Sequence, residues 1–162
     1  MPIPNSRSSR DSSSCTTCSP ACCCRAAGGR FARKPRRSLS GDSTAIFHSL
    51  PQVNWVGFYF LREDTLVLGP FQGKPACVRI KLGQGVCGAG AAKCETVIVP
   101  NVHEFPGHIA CDSASNSEIV VPLLKDSRLI GVLDLDSPQT ARFDQEDAAG
   151  LETLVRILLS SA

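Results

Sequence analysis

Between residues 1 and 43 the only large aliphatic or aromatic side chains are Ile3, Phe31 and Leu39, whereas from Ala45 onward apolar positions come in runs with recognisable periods. Ile46, Phe47 and Leu50 predict a short helical turn ahead of Pro51. Asn54 to Leu61 (NWVGFYFL) is almost continuously apolar and rich in aromatic and β-branched residues, the mark of a buried strand. Thr65 to Leu68 follows the turn-like Arg62-Glu63-Asp64, which predicts a hairpin. Ala76 to Ile80 alternates as a third strand, Val86 to Lys93 is a small-residue helix after Gly83-Gln84-Gly85, and Thr96 to Val99 is a short strand. Beyond a long loop ending near Asn116, Glu118 to Leu124 and Leu129 to Asp136 form a second hairpin across Lys125-Asp126-Ser127-Arg128. Side chains two apart on a strand share a face, so Asp134 and Asp136 point the same way. Asp144 is placed to cap a final helix whose stripe is Leu151, Leu154, Val155 and Leu158.

Hairpins followed by a terminal helix predict an α+β domain, an antiparallel sheet with helices packed on it. The 162 residues suffice for one such domain, expected over 44–162. Residues 1–43, rich in Ser, Arg, Cys, Pro and Gly, cannot bury enough apolar surface to offset an ordering entropy of about 1–2 kcal/mol per residue, and are expected to be a disordered or atypical extension.

Charge follows the same division. The net charge of +2 hides eight Lys or Arg against Asp11 and Asp42 before Ala45, and an excess of acids after it. A basic tail on an acidic domain argues against nucleic acid as the partner. No apolar run approaches the roughly 20 residues that span a bilayer, and the polar start lacks a secretion signal core, so a soluble, cytoplasmic chain with no membrane partner is expected.

Nine cysteines then count as thiols rather than a disulfide scaffold. Cys15, Cys18, Cys22, Cys23 and Cys24 crowd into the extension. Cys111 closes a loop containing His103 and His108, where an imidazolium or an exposed N–H would lower a thiol pKa and make a nucleophile. A buried structural thiol is the alternative. Cys77 and Cys87 gain interest through Cys111, because a sulfenic acid on one thiol needs another to condense with. Cys94, between Lys93 and Glu95, reads as an exposed bystander. The His residues have no paired C-x-x-C elements around them, so no metal site is expected.

Glu118, Asp134 and Asp136 sit in otherwise apolar strands, where an unpaired carboxylate facing the core is costly. They face either solvent or a polar pocket; in a pocket they would favour a cationic group, and a desolvated one could hold a proton at neutral pH. Trp55 and Tyr59, four apart on one strand, are either core or the apolar wall of such a pocket.

The stretches Asn54 to Tyr59, Gly69 to Cys77, Gly85-Val-Cys87-Gly88, His103 to Asp112, Ser117 to Pro122 and Gly131 to Ser137 together closely resemble the free methionine-(R)-sulfoxide reductases, which are built on a GAF domain. The resemblance covers about Ala45 to Leu159. It implies a six-stranded antiparallel sheet flanked by helices, with the N-terminal helices altered or missing here. It also implies reduction of free L-methionine (R)-sulfoxide without a cofactor. On this sequence Cys111 matches the catalytic cysteine, Cys77 the resolving one and Cys87 the third of the set; Trp55 and Tyr59 match the aromatic wall, and Glu118, Asp134 and Asp136 the acidic pocket. The implied chemistry runs through a sulfenic acid and an intramolecular disulfide recycled by thioredoxin. A non-enzymatic GAF sensor of small ligands is the competing reading. Residues before Ala45 do not match, leaving a targeting segment, a shifted start and a true tail open; absent helices would leave sheet surface free to form a homodimer.

Overall fold

The computed structural model describes residues 39–109 and 112–160. Helix α1 (Leu39–Ser49) leads into the hairpin of β1 (Trp55–Arg62) and β2 (Thr65–Gln72). Then come β3 (Arg79–Lys81), α2 (Gly85–Lys93), β4 (Val97–Val99), a single 3-10 turn at Val102–Glu104, the hairpin of β5 (Ser117–Lys125) and β6 (Arg128–Ser137), and α3 (Gln145–Ser160). The strands form one antiparallel sheet in the order β3-β2-β1-β6-β5-β4, with six members and the two long hairpins joined through β1 and β6. The expected α+β architecture is the observed one.

Alternation along the central strands builds two cores. Val56, Phe58, Ile119, Val121, Leu133 and Leu135 pack on one face beneath Ile46 of α1 and the Ala148, Leu151, Val155 and Leu158 stripe of α3. Trp55, Tyr59, Val120 and Val132 pack on the other with Val86, Cys87 and Ala91 of α2. Asp144 caps α3 as its sequence position predicts, accepting from the backbone N–H of Glu146 at 2.8 Å and of Asp147 at 3.0 Å. The β5–β6 turn holds Asp126 and Ser127 at φ 49° and 61°, the primed turn that matches strand twist in a two-residue loop.

Three boundaries differ from the sequence pattern, the first being β2, expected to end at Leu68 and running on to Gln72. Leu39–Ser43, expected to belong to the extension, begin α1: Leu39 packs against the core, and Ser43 is buried with its hydroxyl donating to the Ser40 carbonyl at 3.0 Å. Packing against the sheet outweighs the weak helix propensity of Ser-Gly-Asp-Ser. The rest of the extension lies outside the described residues. The third strand starts at Arg79 instead of Ala76, because its ladder to β2 ends where Val67 meets Arg79 and Leu68 N–H reaches Val78 O at 3.0 Å. Pro70 and Pro75, which cannot donate ladder hydrogen bonds, flank that point, so Cys77 lies in a loop. No helix among the described residues is long and apolar enough to cross a membrane.

Candidate active site

Strand register gathers the acidic residues. Glu118 of β5 stands opposite Asp136 of β6, Asp136 opposite Trp55 of β1, and Asp134 opposite both Val120 and Gly57. All three carboxyls therefore rise from the sheet face that carries Trp55 and Tyr59. Gly57 between those rings has a reason: a Cβ there would strike the Trp55 ring and come within 2.8 Å of Phe71 Cβ. Trp55 stacks on Tyr59 with ring centroids 6.0 Å apart and on Phe71 at 5.7 Å. Both polar tips are spent on backbone, Trp55 Nε1 donating to Lys74 O and Tyr59 Oη to Cys77 O, each at 3.0 Å. These bonds fix the wall and anchor the loop that carries Cys77.

Together with Cys87 from the first turn of α2, and with His108, Ile109, Asp112 and Ser115 from the loop between β4 and β5, these residues enclose a cavity of about 40 Å³. Among the described residues no Lys or Arg lines it. A space lined by these carboxyls and, beside them, by aromatic rings suits a small molecule with an ammonium and an apolar group.

Burial decides the protonation of this cluster. Glu118 is held well above the usual carboxylate range by desolvation, then by Asp134 and Asp136. Asp136 is raised by desolvation, then by Asp134 and Asp112, against a hydrogen bond from Ser115. Asp134 is pushed up to about 6, chiefly by burial, while hydrogen bonds with Cys87 and Glu118 oppose the shift. Close like charges in a dry site cannot all ionise, so the trio keeps proton at neutral pH and can act as an acid. Burial and the same carboxyls push the Cys87 thiol up, which makes it a neutral donor; its Sγ lies 3.9 Å from Glu118 Oε1. The ligating atoms of Cys87, Glu118 and Asp134 all lie within 4.8 Å of one another.

The loop supplies the remaining parts. His103 Nε2 pairs with Asn116 Oδ1 at 2.9 Å, and its ring meets the His108 ring edge-on at 6.4 Å. Desolvation and then His103 lower the His108 pKa, favouring its neutral form. Asp112 is held ionised by the Ala114 N–H and by Lys74, whose Nζ lies 3.3 Å away. Cys111 lies outside the described residues; Ile109 and Asp112 on either side of it line the cavity. Cys77 is a half-buried free thiol, and Cys94 caps α2 away from the cavity, at the edge of a separate hollow beside α3. Cys94 is half-buried, where the sequence had it exposed, because it ends the helix in the left-handed region at φ 55° with its thiol turned back 3.6 Å to Ala91 O.

Matches to known proteins agree with this geometry. The GAF domain family model matches residues 32–159. A protein of Escherichia coli strain K12 named free methionine-R-sulfoxide reductase is 54% identical over 118 residues, covering 73% of this chain and 72% of its own. A protein of the same name from Saccharomyces cerevisiae is 46% identical over 132 residues, covering 76% and 73%. The chain belongs to the free methionine-R-sulfoxide reductase family of GAF domains. A crystal structure of such a reductase from Neisseria meningitidis, described as in complex with its substrate, superposes with a TM-score of 0.74 at 49% identity, over 76% of this chain and 74% of that one. Membership in this reductase family fits an enzyme site better than the sensor reading.

Ser115 and Asn54 carry a role that their sequence context does not reveal. Asn54 Nδ2 donates to Ser115 Oγ at 3.2 Å, and the Ser115 hydroxyl hydrogen-bonds the Asp136 carboxyl, so a chain of bonds holds Asp136 from behind. Ser115 is buried. Ser115→Ala is expected to leave both partners short of a bond and to cost about 1–3 kcal/mol in urea unfolding, with Ser115→Thr recovering most of it. Equal stability of Ser115→Ala and the unmodified reductase would show that this chain does not hold Asp136.

Proposed function

We propose that the protein reduces free L-methionine (R)-sulfoxide to L-methionine with Cys111 as nucleophile. The observation that carries the reading is the carboxyl trio, Glu118 and Asp134 buried and Asp136 half-buried, lining one cavity beside Trp55 and Tyr59, in a chain of this family. The substrate ammonium lies against the ionised part of the trio, and its methyl and side-chain carbons lie against the rings. At about 40 Å³ the cavity has room for a few waters.

In the reaction, Cys111 thiolate attacks the sulfoxide sulfur while a carboxyl of the Glu118–Asp136 pair gives its proton to the oxygen. In the adduct the protonated oxygen passes from the substrate sulfur to Cys111 Sγ as the S–O bond and the new Cys111–substrate sulfur bond break, so methionine leaves as the thioether and Cys111 is left as a sulfenic acid, two electrons having passed from thiolate to sulfoxide. Cys77 then condenses with the sulfenic acid, losing water and forming a disulfide. A thioredoxin-like dithiol of lower potential exchanges with that disulfide and restores both thiols. Cys87 supports the step by donating to the carboxyl cluster. No cofactor takes part in the proposed cycle.

The ammonium contact makes a prediction that separates free from peptide-bound substrate. N-acetyl-methionine (R)-sulfoxide carries no positive charge, so kcat/KM measured by methionine release is expected to fall by about 100-fold or more, as for a buried charge left unpaired. The (S)-sulfoxide should be left unreduced. Equal reduction of the free and acetylated compounds would reject the trio as an ammonium site.

A further inference from the structure

We propose that Cys87, Glu118 and Asp134 form a binding site for a thiophilic divalent cation of the Zn²⁺ class, and that the bound ion blocks the pocket. The donors come from α2, β5 and β6, far apart in sequence, which is why the spacing of His and Cys along the chain gave no hint of them. Their ligating atoms lie within 4.8 Å of one another, and Cys87 Sγ is 3.9 Å from Glu118 Oε1. Tetrahedral zinc with ordinary Zn–S and Zn–O bonds places neighbouring donors about 3.5 Å apart. The observed set reaches that geometry by a contraction of at most about 1.3 Å between donors.

A second feature points to a ligand at the same place. Although Cys87 and Glu118 face the Asp134 carboxyl, its Oδ1 is buried without a hydrogen-bond partner, on a residue only 6% exposed that lines the cavity. An acceptor in that position is costly and is satisfied by a cation. One thiolate with two carboxylates selects zinc, cadmium or cobalt over magnesium and calcium, which take oxygen ligands alone. Three protein donors leave the fourth position to water, the arrangement of an open zinc site. Binding releases the protons that the thiol and carboxyls otherwise hold, so affinity rises with pH. The ion would sit on the groups that the proposed reaction uses for the ammonium and the proton, and so would inhibit it. That inhibition rests on the proposed reaction; the binding does not.

The test uses the full-length reduced protein with Cys15, Cys18, Cys22, Cys23 and Cys24 replaced by Ser, which removes the thiols of the extension. Titration with Co²⁺ should give one equivalent of a near-ultraviolet sulfur-to-metal band, bleached by one equivalent of Zn²⁺ and untouched by Mg²⁺. Adding Cys87→Ser should abolish the band. Asp134→Asn should keep the band and weaken Zn²⁺ affinity by about 10- to 100-fold, at least what loss of an outer-shell partner costs a metal site. A band that survives Cys87→Ser, or no band at all in the parent, overturns the proposal. Where circular dichroism shows that Cys87→Ser has not folded, Asp134→Asn decides: weakened Zn²⁺ binding supports the site and unchanged binding overturns it.

Discussion

Cys111→Ser is expected to lower steady-state reduction of free methionine (R)-sulfoxide by about 10³-fold or more, the scale of losing a covalent nucleophile. A serine hydroxyl stays protonated at neutral pH and is a far weaker nucleophile at sulfur than a thiolate. Cys77→Ser should behave differently in one respect: it should still release about one methionine per enzyme in a single turnover, because the sulfenic acid forms before a resolving thiol is needed. Recycling by thioredoxin should then fail. The two variants together separate attack from resolution, with rapid-quench methionine release and thioredoxin oxidation as the two readouts. Full activity of Cys111→Ser would exclude the mechanism, and unchanged recycling by Cys77→Ser would remove its resolving role alone.

The strand faces were legible because β-sheet parity is rigid. Once Leu129 to Asp136 reads as a strand, Asp134 and Asp136 must share a face, and Trp55 and Tyr59 must share one as well; the register then sets Asp136 beside Trp55 and Glu118. Cys87 was legible as a helix residue, but not its 3.9 Å approach to Glu118, which depends on how α2 lies across the sheet. Two glycines let α2 lie close: a Cβ at Gly88 would stand 2.5 Å from Lys81 O, and one at Gly90 would stand 3.1 Å from Val120 Cγ1 of β5. Lys74, Ser115 and Asn54 were silent because their roles are contacts between loops that no period encodes: Lys74 reaches Asp112 thirty-eight positions away, and Asn54 reaches Ser115 sixty-one away. The start of α1 was missed for a related reason, since Ser43 belongs inside the helix only because the sheet buries it. Local pattern thus located the pocket floor and both walls, and tertiary contacts set its protonation.

Glu118→Gln is expected to lose activity and gain stability, both for one electrostatic reason. The side chain keeps its shape and a polar contact with Cys87 but cannot give up a proton, so kcat should fall by about 10²–10⁴-fold if it is the acid of the pair. For stability, the carboxyl is raised in the folded state by burial and by Asp134 and Asp136. A raised carboxyl means that the folded chain holds a proton the unfolded chain has already released. Stability therefore falls as pH rises from the ordinary glutamate value of 4.5 toward the higher folded value, and each pH unit of that window costs about 1.4 kcal/mol. Gln has no such penalty. Urea unfolding at pH 5 and pH 8 should show the variant less sensitive to the change than the unmodified protein, and more stable at the higher pH. Removing the Glu118 charge also lets Asp136 and Asp134 ionise more easily, so an activity that persisted in Glu118→Gln would fall on Asp136 as donor, and Asp136→Asn would then be the variant that loses it. An identical pH dependence of stability in the two proteins would mean that Glu118 titrates normally and is not the group that supplies the proton.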